Sequence, residues 1–338
     1  ETMEDHALRF TPRSFRRWSE WRVAQTALGG AASFLVLEAL GATLLLQHGF
    51  VNAALAILAT GAVIALAGWP VSVYAARHGV DMDLLTRGAG FGYIGSTITS
   101  LIYACFTFIF FALEAAVMAY ALELAFGVPP AWGYLVCALV VFPLVLHGVT
   151  TLSVLQGWTL PIWLAMLLVP LAAVLWMHPG LPAELAGYPG LGRDGPAAFD
   201  ALAFGTATTV GIALITQMGE QVDYLRFMPE PRPGRRARWW AAVAIGGPGR
   251  VLPGVLKMLG GALLAYFVLT LHGVDAERAV DPNRMYLAAY GLVLPEPAWA
   301  VAATALFVII SQLRINVTNA YAGSLAWSNF FSRLTHSH

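Results

Sequence analysis

Charge is what this sequence has least of. Of its 338 residues, 11% are charged and 58% hydrophobic, and the mean hydropathy is +0.68. A soluble domain carries about a quarter charged residues. The formal net charge is zero, so nothing points to a nucleic-acid partner. Cysteine is scarce too. Cys105 and Cys137 stand far apart inside apolar runs, with neither a disulfide framework nor a metal-site spacing. No cleavable signal peptide is visible, because the first 20 residues are polar. Both ends, Glu1 and His338, look like cuts in a longer chain. The histidines within apolar stretches, His48, His147 and His272, sit at or near stretch ends, and none pairs by spacing with a second histidine or a nucleophile. The expectation is therefore no enzyme, no catalytic residue, no cofactor and no metal.

What the sequence does have is long apolar runs. A helix needs about 20 apolar residues to cross roughly 30 Å of hydrocarbon. Eight stretches fit: about 25–48, 51–75, 92–126, 131–149, 157–177, 200–226, 252–272 and 296–331. The third and eighth exceed one bilayer thickness and must tilt or project. Residues 178–199 and 273–295 read as loops. With the N-terminus in the cytoplasm, fourteen arginines fall on the cytoplasmic side, and only Arg193, Arg278 and Arg284 fall outside. Ser14–Arg22 interleaves basic residues with Phe15, Trp18 and Trp21; a short interfacial helix and a simple positive flank both fit. Gly90-Phe-Gly92-Tyr-Ile-Gly95 matches a dinucleotide-binding pattern but opens a membrane helix and follows no strand, so that match is rejected.

Ionisable residues inside such spans mark function or a cavity. Lys257, near a span end, is expected to snorkel to water. Arg314 lies near the centre of the eighth span, where an arginine costs roughly 2.5–3.5 kcal/mol on insertion scales, so it needs partners. Glu38 and Glu114 lie at similar depth and are expected beside it. Phe106, Phe110 and Glu114 recur every four residues on one helix face, a setting for a flat, hydrogen-bonding solute. The sixth span ends in Gln217, Glu220, Gln221, Asp223 and Arg226, so it either breaks to line water or ends early near residue 216.

Ala76-Arg77-His78-Gly79-Val-Asp81, Leu85-Thr-Arg87, Phe91-Gly92 and Gly95-Ser96, followed by Asp223-Tyr-Leu-Arg226-Phe227 and Asn316-Val-Thr318-Asn319 with Ser324, resemble the nucleobase–cation symporter family. The resemblance implies an all-α, LeuT-like inverted-repeat helical bundle, truncated after about eight transmembrane helices. Residues 1–24 would be a cytoplasmic segment, 25–177 the first repeat, 178–199 an extracytoplasmic loop and 200–338 a partial second repeat. In that fold the first and sixth helices break at mid-membrane. The resemblance makes the chain transporter-like for a small polar or heterocyclic solute, with Glu38, Phe110, Glu114, Gln217, Asn316 and Asn319 binding it. The family's stacking tryptophan on the third helix falls at Phe110 and its base-binding glutamine at Glu114. Its second stacking tryptophan falls near Leu214, which cannot stack. Where sodium-coupled members carry adjacent hydroxyls, this chain reads Arg314 and Ile315. Arg314 is thus expected to replace the cation, leaving Glu38 or Glu114 to carry a coupling proton. The end of the chain, through Asn329-Phe-Phe-Ser-Arg333, is also similar to permease-like domains fused to sensor histidine kinases. That likeness implies a ligand-sensing input module with a C-terminal kinase module as partner.

Overall fold

The computed structural model describes residues 9–334; the expectations for the first eight residues and for a cut near His338 lie outside it. Helix α1 (Glu20–Ala32) opens on Ser19, whose hydroxyl accepts the Arg22 N–H. Among the described residues ahead of it, Phe10 bridges to Val80 and Arg13–Phe15 form a short turn. After an interruption at residues 33–35, α2 runs Val36–His78. At 43 residues it would measure about 64 Å if straight, twice a bilayer. It is not straight. Gly49 has φ +75° and ψ 165°, a conformation that suits glycine, and the two arms fold back there. Leu37 of the first arm accordingly lines one cavity with Ile57 and Gly61 of the second. The expected spans 25–48 and 51–75 are therefore one interrupted helix plus a hairpin.

Next come α3 (Met82–Thr86), a wide turn over Arg87–Phe91, α4 (Gly92–Phe126), α5 (Pro130–Leu146) and α6 (Gly148–Met177). The expected loop 178–199 contains a helical turn, α7 (Leu181–Ala186). The sixth span is α8 (Ala201–Ile212), a 3-10 stretch (Ala213–Gln217) and α9 (Met218–Leu225). It neither continues evenly nor stops at 216; it tightens where its residues turn polar. Then follow α10 (Arg236–Gly246), α11 (Val251–Leu271), α12 (Ala276–Ala279), α13 (Pro282–Val293) and α14 (Pro297–Leu334). The expected loop 273–295 thus holds a helix, and Met285, Tyr286 and Ala289 of α13 are buried.

Among the described residues six helical stretches are long and apolar enough to cross a membrane, and α5 is a shorter apolar helix of 17 residues. This is a multi-pass membrane protein. The difference from eight spans lies in the hairpin at Gly49, which joins two of them, and in the shortness of α5. The two breaks, at 33–35 and 213–217, lie among α2, α4, α6, α11 and α14, and those helices position the polar residues of the interior.

Candidate functional site in the helix breaks

A helix break frees backbone polar groups that hydrocarbon cannot satisfy. On its α1 side the Gly29 carbonyl accepts from Ser33 Oγ at 3.0 Å and from the Arg314 guanidinium at 3.2 Å. Arg314 is wholly buried on α14. Its Nε donates to Ser33 Oγ at 2.8 Å, and a terminal nitrogen donates to the Gln156 carbonyl at 3.0 Å and to Thr159 Oγ1. The Trp163 ring centroid lies 5.2 Å from the guanidinium carbon. Every one of these hydrogen-bond acceptors is a neutral oxygen. The expectation that Arg314 sits paired with Glu38 and Glu114 is therefore corrected. Its fixed fork of donors is met by the carbonyls and hydroxyls of α1 and α6.

The carboxylates have other partners. Glu38 forms an ion pair with Lys257 Nζ and accepts from the Tyr286 hydroxyl, both at 2.8 Å. Lys257 does not snorkel; its side chain is 5% exposed. The reason is close packing. A Cβ on Gly41 would fall on the Met258 carbonyl and one on Gly261 on Glu38 backbone atoms, so these glycines bring α2 and α11 into backbone contact and seal the pair inside. Glu114, fully buried, caps the other side of the break by accepting the Val36 N–H at 3.2 Å, and its second oxygen has no hydrogen-bond partner. Phe110 stands edge-on to Phe34 of the break at 5.7 Å and packs on Phe106 at 4.6 Å. Gln312 lies beside Glu114, its amide buried and outside any hydrogen bond of normal geometry. Sequence reasoning passed over it. The signal was a buried amide in an apolar run, two residues before Arg314.

The remaining expected ligands scatter. Asn319 follows Gln312 by two helical turns on the same face, and its Nδ2 is buried without a partner. Asn316 instead turns toward α5, donating to Cys137 Sγ at 3.3 Å, and so leaves the group around Arg314. Gln217 lines a separate cavity of about 60 Å³ among α2, the 3-10 stretch, α9 and α11, together with Leu214 and Arg250. Among the described residues no cluster of histidine, cysteine or acidic side chains could hold a metal.

From α9 onward the interior polar groups continue to one end of the bundle. Glu220 pairs with Arg250 at 2.6 Å, Asp223 accepts from Tyr103 at 2.8 Å, and Arg226 donates to Tyr321 at 3.0 Å. Asp81, the N-cap of α3, accepts from Asn329 at 2.7 Å, and Arg9 donates to the same Asn329 at 2.9 Å. Burial pushes the Asp81 carboxyl up to about 6, against the hydrogen bonds and the Arg226 charge that lower it.

Two interrupted helices whose breaks face buried polar side chains define a LeuT-like membrane fold. A solved structure with this fold is that of Mhp1, a nucleobase-cation-symport-1 family transporter, in a closed conformation with bromovinylhydantoin bound. The TM-score is 0.57 at 18% sequence identity, covering 98% of this chain and 77% of that one. No family model and no curated protein matches the chain.

Proposed function

We propose that the chain is a secondary-transporter-like membrane protein for a small polar or heterocyclic solute, and that it works without sodium because Arg314 supplies the cation. The observation that carries this reading is the ligand set of Arg314. Two backbone carbonyls and two hydroxyls from α1, α6 and the helix break are the neutral oxygens that a dehydrated monovalent cation takes. A fixed guanidinium there repels a second cation. The solute lies against the α4 side of the break. Phe110 and Phe34 offer aromatic surface, while Glu114, Gln312 and Asn319 offer buried hydrogen-bonding atoms that have no partner of their own. Buried polar groups without partners are costly, so a ligand that satisfies them gains specificity. Glu114, with no cation within ion-pair distance, carries the coupling proton; Glu38 is engaged with Lys257.

Binding and counterflow, measured on the full chain in proteoliposomes, test this. The hydantoin bound to Mhp1 directs the choice of probes to hydantoins and nucleobases. The expected result is binding unchanged when sodium is replaced by choline, and lost in Arg314→Ala and Glu114→Ala. Sodium-stimulated binding by the wild type would overturn the reading. Binding without counterflow would favour a receptor-like input module, the alternative attached to the C-terminal likeness.

A further inference from the structure

The cavity beside Gln217 belongs to neither the Arg314 group nor the Glu38–Lys257 pair. It lies on the α2 and α11 side of both breaks, whereas Glu114 and Gln312 approach from α4 and α14. Its room comes from glycines. Gly61, Gly211 and Gly254 all line it, and a Cβ at Gly254 would meet only Leu37 Cδ1, at 3.5 Å. Its walls are mostly aliphatic. Its polar edge is the Arg250 side chain, 5% exposed, with Gln217 close by. One Arg250 nitrogen is held by Glu220 at 2.6 Å, but its Nε is buried with no hydrogen-bond partner. A buried guanidinium N–H without an acceptor is an unmet demand that a ligand can answer.

We propose that this cavity is a second small-molecule site, taking a neutral, largely apolar molecule with an amide-type edge. Charge decides the class. Glu220 and Arg250 already neutralise each other in a site from which water is nearly excluded. A carboxylate ligand would bury a third, uncompensated charge, and an ammonium would do the same with the opposite sign. A neutral carbonyl satisfies Arg250 Nε at no such cost. The N–H beside it in an amide or lactam meets the side-chain oxygen of Gln217. The aliphatic walls, among them Ile57, Ile64 and Met258, take the hydrocarbon remainder.

The test uses the full chain in lipid nanodiscs and three probes of similar size: ε-caprolactam, hexanoate and cyclohexanol. The expected result is saturable binding of the lactam, with hexanoate and cyclohexanol weaker by roughly tenfold or more. Gly254→Leu and Ile64→Trp, which fill the cavity from opposite walls, should each abolish lactam binding while the protein still unfolds cooperatively. Either variant suffices if the other fails to fold. Phe110→Ala, on the other side of the break, should leave lactam binding unchanged, so this site and the proposed solute site fail independently. No saturable lactam binding, hexanoate binding as tight as the lactam, or lactam binding that responds to Phe110→Ala and not to the filling variants would each overturn the proposal. The first of these would mean that the cavity holds water alone.

Discussion

Lys257 and Glu38 answer one another inside the bundle, and removing either leaves a charge with nothing to oppose it. A lone charge left by breaking a buried pair costs about 3–5 kcal/mol, whereas replacing both members by neutral groups is often close to neutral. Lys257→Met and Glu38→Gln should therefore each lower the thermal unfolding midpoint sharply, and the double variant should recover most of the loss. Additive losses would mean that the two residues are not coupled. Asp81 carries a pH signature of its own. Its carboxyl ionises near 6 in the folded protein and near about 3.9 in an unfolded chain. Between those values the folded state binds the proton more tightly, so stability falls as pH rises from about 4 to 6 and levels off above that. The full effect is up to about 3 kcal/mol. Asp81→Asn should remove that slope, as read by unfolding midpoints against pH; an unchanged slope would assign it to other groups. Residue identity alone made Arg314, Glu38 and Glu114 conspicuous, because charge in hydrocarbon demands an explanation. It could not give the pairing. Which carboxylate meets which cation depends on the glycines at 41 and 261 and on where a helix interrupts, and both are three-dimensional facts.

Helix spacing follows the same glycines. Gly254, Gly261 and Lys257 lie on a common face of α11, so the residue that needs sealing and the residues that allow the seal come from one helical repeat. A side chain at Gly41 has nowhere to go, since the Met258 carbonyl occupies the place of its Cβ. Gly41→Leu should force α2 and α11 apart, hydrate the Glu38–Lys257 pair and cut the yield of folded protein severely. Gly260→Leu, which meets no heavy atom within 4 Å at its Cβ, should be tolerated. Size-exclusion profiles and unfolding midpoints in detergent would compare the two. The elements themselves were largely legible. Long apolar runs gave α4, α5, α11 and α14 close to their observed limits, whereas α6 begins nine residues ahead of its expected start. The family likeness implied a break in the first helix, but its place was not legible, because Ser33, Phe34 and Leu35 are as apolar on average as their neighbours. What ends α1 there is a set of long-range acceptors and donors, Arg314 and Glu114 above all, supplied from far along the chain. The polar tail of the sixth span did announce a departure from regular helix, though its form, a 3-10 tightening with a buried α9 beyond, depends on the helices packed around it.

At the scale of the whole molecule, the arginines sort by end. Arg13 pairs with Glu230 at 2.6 Å, Arg238 with Glu20 at 3.4 Å, and Arg77 stacks 5.3 Å from the Trp240 ring. These contacts gather the N-terminal segment, the end of α2 and α10 at one end of the bundle. The Gly49 turn lies a full helix arm away, about 43 Å by rise per residue, and meets the Tyr188–Pro189 backbone near Arg193. Arg278 and Arg284 follow the far end of α11, whose near end is next to Arg250. Charge excess on one side of a membrane sets orientation toward the cytoplasm, so the crowded end should face inward with the N-terminal segment. A background free of native thiols, with Cys105→Ser and Cys137→Ala, allows a direct reading. Arg232→Cys, in the exposed turn ahead of α10, should resist a membrane-impermeant maleimide in intact cells and label after permeabilisation. Asp194→Cys, in the exposed loop near Gly49, should label without permeabilisation. The opposite pattern would invert the molecule and move Asp81 and its neighbours to the outer face. Labelling of both positions in intact cells would show a mixed topology, which the lopsided arginine distribution argues against.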